Sequence, residues 1–130
     1  METEQIILCD TNILIEFYKE NSKVLRNLRA IGQDNIAISI VTVGELLFGA
    51  INKRELVRIK QDLAHLHVFH LNQQSGERFT QLMIQYSLSH KLSLPDGLIA
   101  ATALSENISL YTHNTRDFKF IKGLNLYIEK

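Results

Sequence analysis

The clearest hydrophobic pattern in the sequence is a short apolar run, Ile6-Ile7-Leu8-Cys9, which is followed at once by Asp10-Thr11-Asn12. A continuous apolar run that is rich in β-branched residues predicts a strand buried on both faces of a sheet. Asp10 would then lie at the carboxyl end of this strand, which is the edge where parallel α/β sheets bind ligands. The alternative is that Asp10 or Asn12 only caps the following helix.

Further along the chain, apolar residues recur alternately at helical spacing and in short runs. The helical spacing predicts six helices, around residues 13–18, 24–31, 41–51, 56–66, 79–90 and 95–104. The short runs predict four more strands, at residues 35–39, 68–71, 108–111 and 124–128. The last helix begins at Pro95 and is apolar nearly all round, which predicts that it is buried.

Strands that alternate with helices predict an α/β fold, in which helices cover both faces of a mostly parallel sheet. The chain has 130 residues, of which 45% are hydrophobic. This is enough for one core and too short for two ordinary domains. We therefore expect one domain over residues 1–130.

Charge and cysteine content indicate the cellular compartment of the protein and limit its partners. Lys and Arg total 14, as do Asp and Glu, so no overall field attracts nucleic acid or an acidic membrane. The single Cys9 excludes an intramolecular disulfide and favours a reducing compartment. No apolar run approaches the length of a membrane span, and the first five residues are acidic or polar rather than basic. We expect a soluble cytoplasmic protein without a membrane partner.

Carboxylates from distant parts of the sequence are expected at one edge of the sheet. Crossover helices run antiparallel to the strands that they connect, so Asp96, at the start of its helix, lies at the same edge as Asp10. Asp117 follows the fourth predicted strand and belongs there too. Glu45 lies roughly 9 Å along its helix and reaches this edge only if the helix leans inward.

Such a group of acids needs a counter-charge, because two carboxylates ~4 Å apart repel by about 4 kcal/mol at an effective dielectric constant near 20. A hard divalent cation supplies it, since Mg²⁺ prefers oxygen ligands and usually takes one or two carboxylates directly. Each acid also has an ordinary structural explanation. Asp96 could be there because an acid is favoured at a helix N-terminus, and Asp117 because an acid can organise a turn. Glu45 could lie on a solvated helix face, although the apolar residues around it predict a buried segment.

Four segments carry a resemblance to a known family. They are Asp10-Thr11-Asn12, residues 39–49 around Glu45, residues 95–103 around Asp96 and residues 112–118, which read Thr-His-Asn-Thr-Arg-Asp-Phe. In this order they resemble the PIN-domain ribonucleases, and most closely the VapC toxins of VapBC toxin–antitoxin pairs. The resemblance covers nearly the whole chain. It implies a PIN-like three-layer α/β/α sandwich with strand order 3-2-1-4-5, and endoribonuclease activity that depends on Mg²⁺ or Mn²⁺.

The resemblance also implies roles for individual residues. The positions that match the family's four acids are Asp10, Glu45, Asp96 and Asp117. Asp10 and Asp96 are expected to bind the metal directly, and the other two to orient water or hold a second ion. Asp117 is preferred as the fourth acid, although Asn114 is close enough in the loop to share its work. The polar residues expected to support the acids are Thr11, Asn12, Thr112 and Asn114.

The implied partners are an RNA substrate, a small antitoxin that blocks the site, and a second copy of the chain in a homodimer. Because the chain is neutral overall, phosphates must be contacted by local cations. The candidates, most of which are better explained as ordinary solvated surface, are Lys53, Arg54, Arg58, Lys60, Arg116 and Lys119. The alternative functions are a housekeeping RNA-processing nuclease and a non-catalytic metal- or phosphate-binding module.

Overall fold

The computed structural model describes residues 5–130, and its centre is a parallel sheet of four strands in the order β3-β2-β1-β4. Leu8 in the central strand pairs with Ala37 on one side and Leu110 on the other. The parallel sheet predicted from the sequence is therefore confirmed. The strands are β1 (Ile7–Cys9), β2 (Ile36–Ser39), β3 (His67–Phe69) and β4 (Ser109–Tyr111).

All six predicted helices are present, and each begins after a side chain that accepts a hydrogen bond from the backbone of its first turn. Within residues 5–130, none of them combines the length and apolar content needed to cross a membrane. The helices are α1 (Thr11–Tyr18), α2 (Ser22–Ile31), α3 (Ile40–Phe48), α4 (Lys53–Leu63), α5 (Gln73–His90) and α6 (Leu94–Glu106). Two 3-10 helices cover Gln33–Asn35 and Thr115–Asp117.

Side chains of β1 alternate between two cores, one on each face of the sheet. Ile7 and Cys9 pack with residues of α1 to α4, whereas Leu8 packs with residues of α5 and α6. Because helices cover both faces, the sheet is the middle layer of an α/β/α sandwich. Residues 99–103 of α6 are all buried, as the apolar character of this helix predicts.

The predicted fifth strand, residues 124–128, is not formed, so the predicted order 3-2-1-4-5 is wrong in its last position. The tail meets β4 through one isolated bridge, between Leu110 and Leu126. Beyond it the chain is held by side chains instead of a ladder: Tyr127 donates its hydroxyl to Asn27 Oδ1, and Glu129 accepts from the Tyr111 hydroxyl. These contacts tie the tail to α2 and to the end of β4 through side chains.

Candidate active site

Asp10 both caps α1 and carries a buried charge. The Thr11 N–H donates to its Oδ1 at 2.7 Å, while the Thr112 hydroxyl and the Asn12 side-chain amide donate to its Oδ2 at 2.8 and 3.2 Å. The residue is only 5% exposed. Burial raises the pKa of this carboxyl group, the hydrogen bonds from Thr112 and Thr11 oppose the rise, and the charges of nearby acids add to it. The capping role considered for Asp10 is therefore confirmed, and it leaves the residue at the edge where a ligand-binding role would require it.

A polar network joins the start of α1 to the loop after β4. Asn12 Oδ1 accepts a hydrogen bond from the His113 N–H at 3.2 Å, and the Thr112 hydroxyl oxygen accepts one from the Asn114 N–H at 3.0 Å. Asn12 and Thr112 thus lie where a supporting role requires them, in contact with Asp10. Asn114 takes part in this network through its backbone.

Glu45 is tied to the site through Thr11, whose hydroxyl donates to Glu45 Oε1 at 2.6 Å. The same hydroxyl lies 2.9 Å from the Oγ1 of the buried Thr42, one turn earlier on α3. This contact brings Glu45 to the edge that holds Asp10. The prediction of a buried segment around it is only partly correct, because Leu46 is buried whereas Glu45 is exposed and Phe48 is 93% exposed.

Asp96 lies in the first turn of α6, where its N–H donates to the Oγ of the capping Ser93 at 3.3 Å. Its side chain is partly buried. Burial raises its pKa to about 6, with the negative charge of Asp10 as the next contribution and those of Asp117 and Glu45 after it. The carboxylates of Asp10, Glu45 and Asp117 therefore act electrostatically on Asp96.

Asp117 ends the 3-10 helix after β4, and its side chain is exposed. Its backbone N–H donates to the carbonyl oxygen of Asn114 at 2.9 Å. The charge of Asp117 raises the pKa of both Asp10 and Asp96. The structure therefore brings all four predicted acids into one electrostatic environment at the carboxyl edge of the sheet.

No lysine or arginine of the described chain forms an ion pair with any of these acids. Residues 5–130 also contain no group of three or more His, Cys, Asp or Glu side chains arranged to hold a metal ion. The donor set instead fits an ion such as Mg²⁺, which takes one or two carboxylates directly and keeps water for its other positions. Asp10 and Asp96 are oxygen donors without a cationic partner and meet that requirement.

A groove of about 370 Å³ runs beside Asp96 and Asp117. Of the cations proposed from the sequence, Arg116 lines it, whereas Arg58 lies elsewhere, paired with Asp62 and placed over the Tyr18 ring. The remaining residues that line the groove are His90, Lys91, Leu92, Ser93 and Phe120.

Comparison with known proteins places the chain in a family, because its residues 7–124 match the PIN domain. The chain belongs to the PIN-domain family. Ribonuclease VapC2 from Rickettsia felis is 31% identical over 130 residues, which cover 93% of this chain and 96% of that protein. The tRNA(fMet)-specific endonuclease VapC from Shigella flexneri is 28% identical over 122 residues, 90% of this chain and 92% of that one.

A solved structure agrees with these relatives. A chain of a toxin–antitoxin complex from Klebsiella pneumoniae has 33% sequence identity and a TM-score of 0.79 to this PIN domain, and the match covers 95% of this chain and 99% of that one. The PIN-domain resemblance predicted from the sequence is thus confirmed.

Several residues that contact the predicted acids' network or line the groove beside them were not predicted from the sequence. Thr42 had a usable signal, because it lies three positions before Glu45 and therefore on the same helix face. The sequence signals for Lys91 and Ser93 were weaker. They consist only of the positions of these residues, at the end of one helix and the start of the next. His90 and Phe120 come together only in the folded chain, where their rings stack 4.2 Å apart.

Proposed function

We propose that this PIN domain is a metal-dependent endoribonuclease and the toxin of a toxin–antitoxin pair. The observation that carries the proposal is the buried carboxylate of Asp10, which has three hydrogen-bond donors and further acids around it but no cationic partner in the described chain. The VapC ribonucleases that this chain resembles support the activity.

Asp10 and Asp96 would hold Mg²⁺ or Mn²⁺. When bound, such an ion supplies Lewis-acid polarisation of a phosphate and lowers the pKa of water. Glu45 and Asp117 would orient water near the phosphate or contribute to a second ion. Their carboxylates reach the rim from α3 and from the 3-10 helix after β4.

The polar residues around the acids would fix their positions. Asn12 and Thr112 hold Asp10 Oδ2, and Thr11 holds Glu45. Asp117 is preferred over Asn114 as the fourth acid, because its charge acts on Asp10 and Asp96 while Asn114 contributes its backbone N–H to Thr112.

The proposal includes the partners that the similar proteins suggest. Because the matched Klebsiella pneumoniae chain comes from a toxin–antitoxin complex, we expect a small antitoxin that covers the acids, with a basic side chain among them. We also expect the whole chain to act as one nuclease domain in the cytoplasm and to form a homodimer. Sedimentation of the purified chain, alone and with the product of any short reading frame found beside its gene, tests both assemblies.

The deciding experiment is RNA cleavage by highly purified protein with Mn²⁺, Mg²⁺ or EDTA. Initiator tRNA is the first substrate to try, because the Shigella flexneri relative is named for it. Asp10→Asn and Asp96→Asn should each abolish cleavage while the fold is kept, since an amide has the shape of the carboxylate without its charge. Asp34→Asn is the matched control, an exposed acid that precedes β2 at the opposite edge of the sheet.

Expression in bacteria separates the toxin from a housekeeping nuclease. The unmodified chain expressed alone should arrest growth, and Asp96→Asn should relieve the arrest. Cleavage by the purified Asp96→Asn protein at the parent rate would contradict the nuclease assignment. Harmless expression of active nuclease would contradict only the toxin assignment.

A further inference from the structure

We propose that the groove beside Asp96 and Asp117 binds one nucleotide of single-stranded RNA next to the cleaved phosphate. In this arrangement the base stacks on the aromatic pair His90 and Phe120, which we call the ring platform. The inference rests on the proposed nuclease function and adds to it a site for substrate recognition. The volume of about 370 Å³ lies within the range of about 300–1,000 Å³ that small-ligand sites span.

The ring platform is held in place by the buried side chain of Tyr86. The His90 and Phe120 rings are stacked with their centroids 4.2 Å apart and their planes 11° from parallel. The buried Tyr86 contacts both rings edge-on, at 5.7 and 5.1 Å, and its hydroxyl oxygen accepts a hydrogen bond from the Lys122 N–H. Because these contacts fix the two rings before any ligand arrives, little rotational freedom is lost on binding.

One face of the ring platform is free to take another ring. His90 is exposed although one face of its imidazole covers Phe120. A base placed on the other face would continue the stack. Stacking of this kind tolerates every base, since each has a π-face, and recognition of RNA by proteins depends largely on unstacked bases in loops and single strands.

Two cations line the same groove and can contact the phosphates of that nucleotide. Arg116 precedes Asp117 in the 3-10 helix, and Lys91 follows His90 at the end of α5. Neither side chain forms an ion pair within residues 5–130. Lys91 ends α5 with a φ of 56°, a left-handed conformation that glycine adopts at less cost.

The test measures binding separately from cleavage. A fluorescent single-stranded oligonucleotide that spans a site cut by the unmodified protein is titrated in EDTA, and its bases are removed one position at a time. His90→Ala should weaken binding about tenfold. One abasic position should weaken binding to the parent by a similar factor and should not weaken binding to His90→Ala any further. His90→Phe should restore the affinity.

A matched control is available at the other edge of the sheet. His67 packs on Phe69 with ring centroids 4.4 Å apart, but it begins β3 and therefore lies away from the acids. His67→Ala should bind RNA as the parent does. Lys91→Ala should lower the slope of log affinity against log salt by about 0.7, as expected for one lost phosphate contact, whereas Arg29→Ala, in the exposed last turn of α2, should leave it unchanged.

The outcomes distinguish this inference from the function on which it rests. If the parent cleaves RNA but no abasic position is coupled to His90, the ring platform does not bind a base and only this inference falls. Equal losses in His90→Ala and His67→Ala would overturn it as well. If the parent cleaves no RNA, the proposed function fails and this inference fails with it.

Discussion

The carboxylate of Asp10 can accept one more partner besides the three groups that already donate to it. An ionised carboxylate offers about four lone-pair sites. The Asn12 amide and the Thr112 hydroxyl take both sites of Oδ2, whereas the Thr11 N–H takes only one site of Oδ1. The free site of Oδ1 is the position from which Asp10 would bind a metal ion.

Thr11 gives a test of how much the position of Glu45 matters. Thr11→Val keeps the shape and the backbone N–H to Asp10 but removes the hydroxyl that donates to Glu45 at 2.6 Å. Because a hydrogen bond to a charged group contributes about 1.5–3 kcal/mol, we expect single-turnover cleavage to slow roughly tenfold or more. Thr80→Val, on the exposed face of α5, is the control. Unchanged cleavage in Thr11→Val would mean that Glu45 needs no support from α1.

The raised pKa of Asp96 predicts how stability depends on pH in EDTA. Below about pH 4 its carboxyl is protonated in the folded and the unfolded chain, so it contributes no difference. Between about pH 4 and the folded pKa of about 6, the unfolded chain has already lost the proton that the folded chain keeps. The free energy of unfolding therefore falls as pH rises through this range. Above that pKa the cost is constant.

Asp96→Asn lacks this cost. Its melting temperature relative to the parent should therefore rise from pH 4 to about pH 7 and then level off. The corresponding difference in the free energy of unfolding is on the order of 1 kcal/mol, because the carboxyl group is only half-buried and is screened by water. Thermal melts of both proteins across this range check the prediction. A difference that is the same at every pH would show that Asp96 does not titrate with the raised pKa.

At the scale of elements, α5 and α6 pack closely at the residue after Asp96. A methyl group on Gly97 would lie 2.9 Å from Met83 Sδ and 3.1 Å from Phe79 Cε1, so glycine permits the close approach that sets the start of α6. Gly44, which precedes Glu45 on α3, has nothing within 4 Å of the same point. A side chain at Gly97 would therefore clash with α5, whereas a methyl group at Gly44 would meet open space.

This difference can be measured with a pair of variants. Gly44→Ala should stabilise the protein by about 1 kcal/mol, the gain in helix propensity. Gly97→Ala gains the same propensity but costs roughly 1–3 kcal/mol in overpacking, so it should melt below Gly44→Ala. Chemical denaturation of both variants gives the comparison. Equal stabilities would mean that the Met83 side chain moves aside without cost.

The elements that were predicted correctly are those whose signals are local. The run before Asp10 and Pro95 in the first turn of α6 each specify an element and its place at the rim. The tail is different, because it is fixed by contacts with Asn27 and Tyr111, more than a helix away in sequence. The exposure of Glu45 and the pairing of His90 with Phe120 likewise depend on packing between elements, which no local pattern contains.

Over the whole molecule, the topology places the acids where the order of the strands in the sheet reverses. The chain moves from β1 to β2 on one side, and returns to β4 on the other side of β1. The carboxyl end of β1 is therefore the switch point at which α/β sheets bind ligands. Folding without metal gathers four negative charges there, so the free energy of folding includes their repulsion.

This repulsion predicts that metal stabilises the parent more than it stabilises Asp96→Asn. In EDTA at neutral pH the variant should melt higher, because one of the crowded charges is gone. A metal ion that binds only the folded state adds RT ln(1 + [L]/Kd), about 2.7 kcal/mol at a hundredfold excess over Kd, and the parent should bind it more tightly. The melting temperatures of the two proteins should therefore converge or cross as the Mn²⁺ concentration rises from zero to millimolar. Asp34→Asn should follow the parent throughout. If Asp96→Asn melts lower in EDTA and gains as much from metal as the parent, Asp10, Glu45, Asp96 and Asp117 do not share a cation.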